Sequence, residues 1–269
     1  MTDSSTAPKL DTTIPHSARV WNYFLGGKDH FAVDREAGEQ YRAIFPEIMD
    51  IAQADRGFLG RAVRCLAGEA GIRQFLDIGT GLPTLNNTHE VAQRVAPASR
   101  IVYVDNDPMV LVHARALLTS TPEGACDYIE ADLHEPDKIL EAAARTLDFT
   151  KPTAIMLLGI LHFIPDTDEA YATVDRLVGA VPSGSYLAMT HATLEIGGDS
   201  QGNAEAQAEW NAKAATPITP RTKQQIARFY HDLELLEPGI VSMTQWRPDE
   251  AAKRLPAEVA GYCAVGRKP

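Results

Sequence analysis

Five short apolar runs alternate with amphipathic runs of helical period across residues 74–192, and nothing else in the chain constrains its fold as much. The apolar runs are QFLDIG from Gln74, RIVYVD from Arg100, CDYIEAD from Cys126, TAIMLLGI from Thr153 and GSYLAMTHA from Gly184. Between them stand HEVAQRVA, DPMVLVHARALLT, PDKILEAAARTL and DEAYATVDRLVGAV. Strand following helix in this rhythm builds βαβ crossovers and hence a parallel sheet. The strands are almost continuously apolar, as a sheet covered by helices on both faces requires.

The flanks read differently. Residues 1–17 are rich in Ser, Thr, Pro and Asp and predict a flexible arm with no secretory pattern. Residues 18–71 carry apolar residues at helical spacing and predict three helices, with Gly26-Gly27 stopping the first and Pro46 interrupting the middle. Residues 72–269 then form the main domain. Its segment 193–219 is polar and Ala-rich and reads as a linker, against a pocket-lining insertion with Trp210 as a lid aromatic. A helix TKQQIARFYHDL follows, then two strand-like segments, ELLEPGIVSMTQW and EVAGYCAVGRK. Too few residues separate these two for a parallel crossover, so the last strand pairs antiparallel.

Charge and cysteine content narrow the partners. The formal net charge is −11 and no block of Lys or Arg stands out, which disfavours a nucleic acid. Arg56, Arg61 and Arg64 read as a solvated helix face. Three dispersed cysteines give neither a disulfide framework nor metal spacing and suit a reducing compartment. The longest strongly apolar run, residues 154–164, is too short to span a bilayer. A cytoplasmic protein is the expectation.

Ligands of an open α/β sheet bind beyond the carboxyl ends of its strands. Strand one ends in Asp77, Gly79 and Gly81; strand two in Asp105, followed by Asn106 and Asp107; strand three in Asp132; strand four in Gly159, leading to His162. A carboxylate at Asp105 can accept both hydroxyls of a ribose, with an N-cap at Asn106 or Asp107 as the plain alternative for its neighbours. NAD and S-adenosylmethionine both carry that ribose. A pyrophosphate needs a helix starting directly at the glycines. Here Pro83 removes a donor, and the best helix start is Asn87 with Glu90 three residues on, a capping-box pattern. A displaced helix suits an aminoacyl tail approaching the backbone at Gly79 and Gly81, its ammonium on Asp77. Asp132 would meet the adenine amino group, with the Leu133 N–H on a ring nitrogen; a turn before EPDK is the alternative.

LDIGTGLPT, VYVDNDP, IEADLHEP and LLGILHFIPD resemble the successive motifs of class I S-adenosylmethionine-dependent methyltransferases. ARVWNYFLGGKDHFAVDREAG, DRGFLGRAVRCLA, LEPGIVSMTQWRP and GYCAVGRK are similar to one family within that class, the S-adenosyl methyltransferase family formerly catalogued as a domain of unknown function. The likeness runs over nearly the whole chain after Pro15. It implies an α/β Rossmann-like class I methyltransferase sheet of seven strands, the last antiparallel, with helices on both faces and an N-terminal helical cap. It also implies S-adenosylmethionine at Asp77, Gly79, Gly81, Asp105 and Asp132, and it supplies no acceptor.

Methyl transfer to a small molecule needs alignment and a water-poor pocket, and a general base only for a protonated acceptor. His162 follows strand four and suits a base near neutral pH, against a packed or capping role. Asp166 reads as an N-cap. Lys28, Asp29 and His30 follow the double glycine, so residues 18–38 could close as a lid that brings Tyr23 or His30 to the acceptor. Two rivals stand beside this reading: an NAD-dependent oxidoreductase, and a non-catalytic binder of S-adenosylmethionine or S-adenosylhomocysteine.

Overall fold

The computed structural model describes residues 11–117, 119–197, 200–212 and 217–269. Residues 1–10 of the expected arm, and residues 198, 199 and 213–216 of the expected linker, lie outside the described residues. Three helices come first: α1 (Ser17–Phe24), α2 (Ala32–Ile44) and α3 (Ile48–Gly68). The alternating region follows as β1 (Gln74–Ile78), α4 (Thr88–Val95), β2 (Arg100–Asp105), α5 (Pro108–Leu117), β3 (Ala125–Glu130), α6 (Pro136–Ala143), β4 (Ala154–Leu158), α7 (Thr167–Gly179) and β5 (Tyr186–Ala192). The tail holds α8 (Ser200–Asn211), α9 (Lys223–Arg228), β6 (Glu234–Leu235), β7 (Val241–Ser242) and β8 (Gly261–Arg267).

All the strands join one sheet, in the order β3-β2-β1-β4-β5-β8-β6, with β7 also on β8. The first five are parallel, and β8 runs antiparallel to β5, pairing Tyr186 with Arg267 through Ala192 with Gly261. Side chains alternate between two cores. Phe75, Ile101, Tyr103, Met156 and Ala188 face one, and Leu76, Val102, Val104, Ile155 and Leu187 face the other. That period of two, with both faces covered, is why the inner strands β1, β2, β4 and β5 are mostly apolar, their polar residues falling mainly at the ends.

The last strand is antiparallel, as the short connection requires. The sixth strand is broken: β6 pairs Glu234 with Arg267, while β7 pairs Val241 with Cys263, so three extra residues bulge out between the two pieces. Pro238 falls in that bulge and has no N–H to give the ladder.

The segment expected to be a linker contains α8. Ala, Gln and Glu favour helix intrinsically, but α8 has no apolar stripe to announce it. It docks through Trp210, whose ring lies 4.6 Å from that of Tyr41 in α2, and through Gln207, whose Oε1 accepts the Tyr41 hydroxyl. Helix α9 ends earlier than its pattern suggests and continues as turns. Among the described residues no helix is long and apolar enough to cross a membrane.

The three arginines of α3 are not one solvated face. Arg64 is exposed, but Arg61 is buried and donates to the carbonyls of Trp246 (2.9 Å) and Met243 (2.5 Å). Arg56 donates to Leu85 O (3.0–3.1 Å) and Asn87 Oδ1 (2.8 Å). Period 3.6 turns Arg56 toward the β1–α4 loop and Arg61 toward the tail.

Candidate functional site

Strand order reverses between β1 and β4, and the chain opens there into a cavity of about 760 Å³. That volume lies in the upper part of the range, roughly 300–1,000 Å³, that single small-molecule ligands occupy. The predicted cofactor-binding residues Asp77, Gly79, Gly81, Asp105, Asn106, Asp132, Leu133 and Gly159 all line it.

The β1–α4 connection is built by local hydrogen bonds. After Ile78 the chain turns back over β2, with Gly79 and Thr80 N–H groups donating to Val104 O at 2.8 and 3.2 Å. Gly79, Gly81 and Gly159 all have left-handed φ, at 75°, 64° and 63°. The glycines serve different ends. A Cβ on Gly79 would stand 2.5 Å from the Ile160 side chain, so Gly79 lets the loops after β1 and β4 pack. A Cβ on Gly81 would meet nothing within 4 Å, and so points into open space. Helix α4 starts seven residues later, and the Glu90 carboxylate accepts the Asn87 N–H at 2.9 Å, as the capping-box pattern predicts. Asn87 Oδ1 meanwhile accepts from Thr84 N–H and from Arg56, pinning the loop to α3.

Asp105 is buried at the end of β2. Its Oδ2 accepts the Gly81 N–H at 2.8 Å and its Oδ1 the Asp107 N–H at 3.0 Å. Burial raises its pKa, opposed by those two N–H groups. The capping role belongs to Asp107, which accepts from Met109 N–H. Asn106 donates to Asp132 Oδ2 (3.1 Å), joining the ends of β2 and β3, and Asp132 Oδ1 also accepts the His134 N–H. Asp77 is buried below the glycine turn, its Oδ2 accepting the Thr88 hydroxyl at 2.6 Å. Burial pushes its carboxyl up to about 6, against the pull of Thr88 and Arg56.

His162 lies in a 3-10 turn, Leu161–Phe163, on the cavity wall. It is buried and its Nδ1 has no partner among the described residues. Burial, then the neighbouring His191 and Arg221, hold its pKa well below the usual histidine range. The ring is therefore neutral and a weak base at pH 7. His191 is held in one tautomer: Arg221 donates to its Nε2 at 2.9 Å, so Nδ1 carries the proton and donates to Ala192 O.

Tyr23 and His30 do not line the cavity. Trp21, Asn22 and Leu25 do, and Tyr23, two residues from Trp21 on a 3.6-residue turn, falls on the far side of α1. The Tyr23 hydroxyl bonds Glu39, and the His30 ring packs edge-on against Tyr23 at 5.4 Å. Gly26, at a left-handed φ of 73°, ends α1, and Gly27 has a packing role. A Cβ on Gly27 would come within 2.3–2.5 Å of the Asn22 amide, which is buried and accepts the Asp29 N–H. Gly27→Ala should therefore lower stability by about 1–3 kcal/mol through overpacking. An unchanged thermal midpoint would remove the close-approach argument.

Sequence reasoning missed Asp55. This α3 carboxylate lines the cavity, is buried, and its Oδ1 accepts the Thr190 hydroxyl from β5. Burial pushes it up to about 6, opposed by Thr190 and Arg56. A signal existed: Ile48, Ile51, Ala52, Phe58, Leu59 and Ala62 form a buried stripe, and Asp55 interrupts it.

The residues present suit a cationic, ribose-bearing ligand. Asp77 and Asp105 are buried carboxylates close enough to act on one another, and Gly81 offers an open backbone cradle. A family profile described as S-adenosyl methyltransferase matches residues 3–269. A crystal structure of a DUF574 family protein from Streptomyces avermitilis MA-4680 is 46% identical, with a TM-score of 0.92 over 97% of this chain and 100% of that one. A candidate methyltransferase from Thermobifida fusca YX is 41% identical, with a TM-score of 0.85 over 98% and 99% of the two chains. The mitomycin 7-O-methyltransferase MmcR, 15% identical with a TM-score of 0.51 over 78% of this chain and 54% of its own, shares the fold alone. No curated protein matches the chain. From the profile match over nearly its whole length, the chain belongs to the S-adenosyl methyltransferase family and is an S-adenosylmethionine-dependent methyltransferase.

Proposed function

We propose that the chain transfers a methyl group to a small-molecule acceptor in the cytoplasm, by in-line displacement within this cavity. One observation carries the reading. Gly81 holds an open, left-handed backbone position whose N–H is fixed by the buried carboxylate of Asp105. When bound, S-adenosylmethionine supplies an electrophilic methyl on a sulfonium. The chain's part is to bind, orient and exclude water.

In this reading Asp105 accepts the ribose hydroxyls and Asn106 steadies Asp132 beside the adenine, whose ring nitrogen takes the Leu133 N–H. Gly81 and Gly159 give the cofactor's aminoacyl end close approach to backbone, Gly79 holds the loops around it together, and Asp77 stands opposite its ammonium. Helices α1 and α2, in residues 18–71, act as the cap. His162, neutral and with Nδ1 unpaired, offers an acceptor of hydrogen bonds to the substrate rather than a strong base. The acidic lining and the absence of a lysine from its described residues support a small molecule over a nucleic acid.

Calorimetric titration with S-adenosylmethionine, S-adenosylhomocysteine and NAD tests this. The first two should bind and NAD should not; binding of NAD alone would overturn the assignment of the strand-end acids. The pH dependence follows from Asp77. Its carboxyl titrates near 6 in the free protein and must be ionised to pair with an ammonium. Affinity for S-adenosylhomocysteine should be flat above pH about 7 and fall by up to about tenfold per unit below pH about 6. Asp77→Asn should bind more weakly at pH 7.5 and lose that slope; a wild-type profile flat to pH 5 would exclude the pairing.

A further inference from the structure

The cavity extends beyond the strand-end residues that the proposed function gives to the cofactor, and the remainder has a different lining. Besides the strand-end residues its lining includes Trp21, Tyr41, Phe45 and Ile48 from the N-terminal helices and their connection, Trp210 from α8 and Met243 after β7. Most of these are flat rings, with Tyr41 and Trp210 tilted 55° to one another. Aromatic walls take flat apolar ligands at little entropic cost, because their rings have few torsions to freeze. The Trp210 indole N–H is buried and unpaired among the described residues.

Charge in the cavity is one-sided. Among the described residues its lining holds Asp55, Asp77, Asp105, Asp132 and Glu209, against the single guanidinium of Arg56. Arg56 is already committed to Leu85 O and Asn87 Oδ1. A carboxylate or phosphate on the acceptor would find no uncommitted Lys or Arg among the described lining residues to meet it. Asp77, Asp105 and Asp132 are taken by the cofactor in the proposed reading, and Glu209 is exposed, which leaves Asp55 as the remaining buried acid. One of its oxygens is fixed by the Thr190 hydroxyl, and the other accepts no hydrogen bond among the described residues. Asp55 also stands where the two parts of the cavity meet. It acts electrostatically on Asp77 on one side and bonds β5 on the other.

We infer that the methyl acceptor is a flat aromatic molecule carrying a basic nitrogen, and that Asp55 selects it by pairing with that positive charge. This rests on the proposed function, since it assumes that the strand-end half of the cavity belongs to the cofactor.

The test uses the full chain saturated with S-adenosylhomocysteine and reads quenching of the cavity tryptophans. Tyramine and 4-hydroxyphenylacetate, which share a phenol ring but differ in charge, are the probes. Tyramine should bind saturably and about tenfold or more tighter than the carboxylate. Asp55→Asn, which keeps the shape and can still accept from Thr190, should abolish that preference while leaving S-adenosylhomocysteine affinity within about twofold. Trp210→Leu should weaken both ring compounds and keep the preference. Equal or tighter binding of the carboxylate, a preference that survives Asp55→Asn, or no saturable signal to about 10 mM tyramine would each overturn the inference. So would an Asp55→Asn variant that loses affinity for S-adenosylmethionine but not for S-adenosylhomocysteine or tyramine, since Asp55 would then serve the sulfonium. If S-adenosylhomocysteine itself does not bind, the proposed function falls, and this inference with it.

Discussion

Asp105→Ala should lose affinity for S-adenosylhomocysteine by about 100-fold. Two contributions add. In the proposed complex the carboxylate accepts ribose hydroxyls, and a hydrogen bond to a charged group contributes about 1.5–3 kcal/mol. In the free protein the same carboxylate already holds the Gly81 N–H at 2.8 Å and the Asp107 N–H at 3.0 Å. Removing it therefore loosens the cradle as well as deleting a ligand contact, and about 3 kcal/mol corresponds to the stated loss. Asp105→Asn separates the two, because its amide oxygen can still accept one backbone N–H; it should bind with intermediate affinity. Calorimetry at pH 7.5 measures both. A loss of less than about threefold in the alanine variant would mean that the ribose lies elsewhere.

Arg221→Met should give the largest loss of stability outside the apolar core. The guanidinium is 2% exposed and sits between three elements. It donates to Leu161 O at 3.0 Å, to Ile164 O at 2.8 Å and to His191 Nε2 at 2.9 Å, and it lies over the Phe229 ring. Methionine fills much of the space but leaves two carbonyls and an imidazole lone pair without a donor. Stranding buried partners in this way costs about 3–5 kcal/mol, or a fall of about 10 °C in the thermal midpoint. Arg221→Lys should recover little, because one ammonium cannot span the three acceptors of a planar fork. The 3-10 turn that carries His162 is what Arg221 clamps, so ligand binding in the part of the cavity proposed for the acceptor should weaken too. A change below about 1 kcal/mol on thermal unfolding would show that the three acceptors find other donors.

The parts of the molecule that repeat a local rule could be read from the sequence. RIVYVD is β2 to the residue, and the alternation of helix and strand fixed the parallel sheet. Asn87 with Glu90, and Asp166 ahead of Thr167, cap helices as their spacing predicts. The residues hidden from that reading act over long sequence separations. Arg221 in PITPRTK carries no pattern that points to carbonyls sixty residues earlier. Asp55 was legible in principle, as a charge inside an apolar stripe. Tyr23 could have been placed by geometry, since the helical period that puts Trp21 and Leu25 on the cavity turns Tyr23 away. Helix α8 escaped because its contact with α2 depends on two side chains, Gln207 and Trp210, rather than a stripe. The sixth strand broke because a bulge containing proline interrupts it, and strand propensity does not report register.

The core beneath α1–α3 has a consequence for how the chain is made. Val20, Phe24 and Phe58 pack into the same cluster as Val259, Cys263 and Val265, and Arg61 is tied to carbonyls near residue 245. Elements from opposite ends of the described residues thus complete one hydrophobic face together. During synthesis that face stays open until β8 has left the ribosome, with its aromatic residues exposed throughout. Contacts this distant in sequence carry a loop-closure entropy that slows folding and lengthens exposure to aggregation. By the same entropy the cavity, lined by α1–α3 and the strand ends, should be among the last features to form.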